Sequence, residues 1–182
     1  AIPLLDEDLF VFHGDPIPEE LVLCIDPNDW DRLLWRPAHI VTDQAAVESL
    51  NSRLPQPLPK LYTRLVSTYR WMEVDLRCVR LLPNLPGPDL CGLEQEMTAD
   101  PVMFGVLSRA GYVQFGKASS SYDPICFDLS RRDGGGDCPI VQCNHEAILM
   151  GESVGEPRRL FASFRDFVHA VIGMADYRKR PG

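Results

Sequence analysis

Three apolar runs near the middle of the chain decide the fold: Tyr112-Val113-Gln114-Phe115-Gly116, Pro124-Ile125-Cys126-Phe127-Asp128-Leu129 and Pro139-Ile140-Val141-Gln142-Cys143. In the first, Val113 and Phe115 point one way. In the second, Ile125, Phe127 and Leu129 point one way, with Cys126 and Asp128 opposite. Period-two alternation in runs this short predicts strands. Arg131-Arg132-Asp133-Gly134-Gly135-Gly136-Asp137 joins the last two runs. A glycine-rich link of that kind predicts a flexible turn and an antiparallel hairpin.

Helices frame this block. Downstream, Phe164, Phe167, Val168, Val171, Ile172 and Ala175 form one stripe at helical spacing. Ser163 is the predicted cap and Asp166 stands three residues on. Upstream, Asp100 precedes Pro101 and Gly111 follows Ala110, which predicts a helix over 101–110. Ala46, Val47, Leu50 and Leu54 predict a helix over 43–54 capped by Thr42, stopped by Pro55-Gln56-Pro57. Leu58, Leu61, Tyr62, Leu65, Tyr69 and Met72 predict a second helix. Val74 to Leu82 reads as one strand. Helices early, strands later and a closing helix argue for an α+β fold, a mostly antiparallel sheet flanked by helices.

The first forty residues carry two short apolar runs, Leu9-Phe10-Val11-Phe12 and Leu21-Val22-Leu23-Cys24-Ile25, separated by a turn-rich connector and followed by a turn at Asp26-Pro27-Asn28-Asp29. Residues 1–45 are expected to form an N-terminal extension packed on a main domain of residues 46–177. Residues 178–182 are read as a solvated basic tail.

Composition narrows the function classes. The chain has 182 residues, of which 45% are hydrophobic and 24% charged, values ordinary for one globular domain. The formal net charge of -8 repels nucleic-acid phosphates and anionic membranes, so neither is an expected partner. Asp6, Glu7 and Asp8 stand where a signal peptide would need positive charge, and no apolar run approaches the length of a spanning helix. Six cysteines without a Cys-x-x-Cys pair read as reduced thiols, which places the chain in the cytoplasm.

Chemistry-bearing residues are few. Cys138, Cys143 and His145 lie close in sequence, but their spacing fits no standard zinc knuckle. No metal or other cofactor is expected. Cys126 sits between Ile125 and Phe127, an apolar setting that raises a thiol pKa and argues against a nucleophile. No Gly-x-Ser-x-Gly occurs. Gly134-Gly135-Gly136 lacks the Lys-Ser/Thr of a phosphate loop. Asp123, Asp128 and His145 are the residues a small hydrolase would use, provided that they converge.

Four stretches, in order, resemble the SUKH superfamily, named in part after yeast regulators of cell-wall glucan synthesis. Leu54-Pro55 with Leu58-Pro59-Lys60-Leu61-Tyr62 is similar to its leucine-proline-then-tyrosine helix start. Tyr112 to Gly116 followed by Tyr122 to Leu129 is similar to its central strand pair. Pro139-Ile140-Val141 with His145-Glu146 is similar to its next strand and turn, and Ser163-Phe164-Arg165-Asp166-Phe167 to its closing helix. These span about two-thirds of the chain. Tyr69-Arg70-Trp71-Met72-Glu73 stands where the family often has an asparagine-glycine turn.

The resemblance implies an α+β fold without catalytic residues. It implies a protein-binding role: toxin neutralisation by an immunity protein, or regulatory scaffolding in cell-envelope or cell-wall control. The acidic balance suits a basic toxin as partner. It leaves the oligomeric state open. The expected binding surface comprises Tyr122 and Asp123 on one loop and Arg131, Arg132 and Asp133 on the next, presented together by the strand between them. Trp35 is an additional candidate on the extension.

Overall fold

The computed structural model describes residues 17–26, 29–151 and 153–178, with backbone alone for 23–34 and 174–178. The run Leu9–Phe12 and residues 179–182 of the basic tail lie outside the described residues. The chain passes through β1 (Val22–Asp26), β2 (Asp29–Trp35), β3 (Ala38–His39), α1 (Gln44–Arg53), α2 (Lys60–Thr68), β4 (Tyr69–Arg70), β5 (Val74–Asp75) and β6 (Val79–Leu81). It continues through α3 (Cys91–Thr98), α4 (Pro101–Arg109), β7 (Tyr112–Ala118), β8 (Pro124–Asp128), β9 (Ile140–Gln142), α5 (His145–Gly151), β10 (Arg158–Phe161) and α6 (Phe164–Arg178).

The main sheet runs β10-β9-β8-β7-β6-β5, and each strand is antiparallel to its neighbours. Strand order follows chain order, so the sheet is a meander. Helices α3 and α4 are inserted between β6 and β7, and α5 between β9 and β10. β1 pairs with β2 and β3 with β4 as two-stranded ribbons. The fold is α+β with a mostly antiparallel sheet, as the order of patterns predicts.

Both faces of the sheet are covered. On one, Phe115 and Phe127 stack at 4.1 Å, and Tyr62 of α2 meets them at 5.6 and 5.0 Å. Phe164 of α6 lies 5.3 Å from Tyr62, and Phe167 packs beside it at 5.7 Å. Each such fully buried ring contributes about 1.5–3 kcal/mol from apolar burial. On the other face Cys126, Val141 and Cys143 pack against Val106, Leu107, Ile148 and Val154. Hence all five residues of β8 are buried, including those expected to turn away from the core. Leu21 and Trp35 join the first cluster, together with residues of α1, α2 and α3.

Helix ends follow capping chemistry, with corrections. Asp100 accepts from the backbone N–H groups of Val102 and Met103, Pro101 opens α4, and Gly111 takes φ +81° after it. At α1 the cap is Asp43, which accepts from the Ala46 N–H, not Thr42. Thr42 is buried and its hydroxyl meets the Arg70 guanidinium. Arg70, itself fully buried, donates to the Val66 and Tyr69 carbonyls at the end of α2. Asn84 donates to the same two carbonyls. A cation there answers the negative end of the helix dipole. These partners end α2 at Thr68, short of the predicted Met72.

The single strand predicted over 74–82 is a hairpin, β5 and β6. Its turn places Arg77 at φ +72°, and Asp75 Oδ1 accepts the Arg77 N–H at 2.6 Å. On α6, Phe164 and Phe167 are buried, Val168 and Val171 are half-buried, and Ile172 is 46% exposed. The apolar stripe therefore leaves the core after its second turn.

Candidate functional site

The site lies at the end of the sheet where β8 begins. Asp123 precedes Pro124, whose ring removes a ladder donor and starts the strand. The Asp123 carbonyl accepts from the Ala118 N–H at 2.9 Å, closing the loop from β7. Its carboxylate faces the adjoining end of β9 and the start of α5. There Oδ1 accepts from the backbone N–H of His145 at 3.1 Å and from its ring Nδ1 at 2.7 Å. Oδ2 accepts from the Gln142 side-chain amide at 2.6 Å. Gln142 Oε1 in turn accepts from Arg158 Nη2 at 2.6 Å, across the β9–β10 pairing. Tyr122, 78% exposed, sets its ring edge-on to His145 at 6.3 Å.

The electrostatics follow. Partial burial works to raise the Asp123 pKa, but hydrogen bonds from the His145 ring, the His145 N–H, Gln142 and Ser121 overcome it and hold the value at about 2. The ionised carboxylate only accepts, so ring Nδ1 carries the proton of this bond. The result is a continuous chain, Tyr122–His145–Asp123–Gln142–Arg158, drawn from the β7–β8 loop, β9, α5 and β10. An exposed aromatic ring stands at one end and an exposed guanidinium at the other.

The remaining expected site residues lie elsewhere. Arg131, Arg132 and Asp133 follow the opposite end of β8, so the two loops are not presented together. Five residues of strand separate the ends by about 17 Å. The link after β8 is also not the flexible turn its glycines suggest. Arg132 donates to the Pro57, Leu58 and Gly136 carbonyls. Asp133 Oδ1 accepts from the N–H groups of Gly135 and Asp137 at 2.9 and 2.8 Å. Asp137 caps α6 by accepting from the Phe164 and Arg165 N–H groups at 3.0 and 3.2 Å. Arg131 stays exposed, with Nε 3.5 Å from Asp128 Oδ2. Trp35 is 7% exposed and belongs to the core, which leaves its ring little surface to offer a partner.

The hydrolase set does not converge. Asp123 and His145 are in contact, whereas Asp128 is buried at the far end of β8, where it accepts from the Ser130 hydroxyl at 2.6 Å. Among the described residues, no hydroxyl or thiol is bonded to the His145 ring. Three of the thiols are poor nucleophiles: burial pushes Cys126 up and Cys138 to about 12, and the Asp89 carboxylate raises exposed Cys91. Cys138 and Cys143 fall in the two separate core clusters, on opposite faces of the sheet. No group of three or more metal-ligating side chains is found among the described residues, and none of their helices is long and apolar enough to cross a membrane.

Sequence reasoning grouped His145 with Asp123 but missed Gln142 and Arg158. Gln142 was legible only as a polar residue at a strand end, and nothing local marks β10 as a strand. Comparison with protein-family models, curated proteins and solved structures finds no match, so a functional reading rests on the site itself.

Proposed function

We propose that the chain is a non-enzymatic protein-binding domain whose docking surface is the sheet end bearing Tyr122, His145 and Arg158. One observation carries this reading: short hydrogen bonds run from His145 through Asp123 and Gln142 to exposed Arg158, and exposed Tyr122 sets its ring edge-on to His145. Tyrosine and arginine dominate binding energy at interfaces. Anchors held in place before binding lose less entropy on association. The divergence of Asp128 from Asp123 and His145 weighs against the hydrolase alternative.

The resemblance to the SUKH superfamily narrows the proposal to an immunity protein that neutralises a toxin in the cytoplasm, with a regulatory scaffold in cell-envelope control as the second reading. Both need the same kind of surface. The net charge of -8 favours a basic toxin, because complementary charge speeds encounter. Affinity purification from the native cell, repeated with Tyr122→Ala, tests the proposal. A specific protein captured by the parent and lost by the variant supports it. Equal capture by both moves the surface elsewhere.

A further inference from the structure

The outer edge of β10 is the end of the six-stranded sheet, and no other strand pairs with it among the described residues. In an antiparallel ladder alternate residues turn both N–H and C=O away from the paired neighbour. A terminal strand therefore presents a row of main-chain donors and acceptors. β10 reads Arg158-Arg159-Leu160-Phe161, and both arginines are exposed. The two arginines give this edge a basic character on a chain of net charge -8. The register shift between Arg159 and Phe161 twists the strand locally.

Two occupants compete for such an edge. A second copy paired antiparallel would gather four guanidinium groups on one short ribbon, and like charges across strands are destabilising. An extended acidic segment meets the same groups with opposite charge. We propose that the edge of β10 receives an extended, acidic segment of a partner protein by strand addition. Main-chain hydrogen bonds supply the affinity, and Arg159 with Arg158 selects for acidic side chains. This rests on the protein-binding reading and specifies which chemistry the partner brings to one border of the site. Arg158 belongs to both: its guanidinium reaches Gln142 and its backbone lies on the edge.

The test uses the whole chain and synthetic peptides, so it needs no native partner. A short capped peptide of alternating valine and glutamate is titrated into labelled protein, followed by amide exchange. The expected result is saturable binding with slowed exchange confined to 158–161. An alternating valine and lysine peptide, and a glutamate peptide N-methylated at alternate residues, should each bind more than about tenfold more weakly. Arg159→Glu, which lies outside the Asp123 network, should weaken the glutamate peptide by a similar factor with an unchanged melting curve. No binding, equal binding of the lysine or methylated peptide, or protection away from β10 overturns the proposal. So does concentration-dependent protection of β10 without peptide, which would mark a second copy as the occupant. Failure here with capture still dependent on Tyr122 removes the strand-addition inference alone.

Discussion

Asp123 holds His145 twice through one oxygen: Oδ1 accepts from the backbone N–H at 3.1 Å and from ring Nδ1 at 2.7 Å. The carboxylate thereby fixes both where α5 starts and how the imidazole is turned. Ionised, it is the hub that ties the β7–β8 loop to β9 and α5.

Asp123→Asn should cost about 1–3 kcal/mol, because charge-assisted hydrogen bonds are weakened while their donors stay in place. The folded pKa of about 2 lies below the ordinary value of 3.8, so the stabilisation is fully present above the ordinary value and is lost as pH falls through about 2. Urea melts of parent and variant should differ by a constant amount from pH 7 to about 5 and converge between about pH 4 and 2. A pH-independent difference would assign the loss to shape instead of charge.

Phe167→Ala should cost about 3–5 kcal/mol, whereas Ile172→Ala should stay within about 0.5 kcal/mol. The two residues share one helical stripe, but Phe167 is 2% exposed and Ile172 46%. Equal losses in a denaturation series would mean that α6 packs along its whole length.

Sequence alone reached the strands with clean alternation, β7 to β9, and the capped helices α4 and α6. It failed where local pattern carries no signal. Arg77 makes the β5–β6 turn at positive φ, a role usually marked by glycine or asparagine. The four residues of β10 include two arginines and become a strand through pairing with β9. α5 is seven residues long and starts on the polar pair His145-Glu146. The glycines of 134–136 suggested mobility, but Arg132 and Asp133 pin that loop from outside its own pattern. At the site, Tyr122 and Asp123 were legible as loop residues with interface chemistry. Their partners Gln142 and Arg158 emerged only from strand register.

Gly116→Ala should destabilise by about 1–3 kcal/mol. A methyl group there would sit 2.8 Å from the Arg80 carbonyl oxygen and from Val79 Cγ1, on the strand directly opposite. Thermal melts check this; a neutral outcome would mean that β6 can move away from β7.

Asp137→Ala should cost about 1–2 kcal/mol by uncapping α6, although Ser163 still accepts from the Asp166 N–H at 3.0 Å. Amide exchange resolved by residue should quicken first at Phe164 and Arg165. Faster exchange spread evenly through the sheet would contradict a capping role.

The most direct measurement of protein binding at this end of the sheet is photo-crosslinking in the native cell. A benzophenone amino acid replaces Tyr122 in one variant and Arg131, at the far end of β8, in another. A discrete crosslinked protein from position 122, absent or much weaker from position 131, is the expected result. Crosslinks from position 131 with none from 122 would contradict the placement of the surface, and none from either would contradict protein binding here.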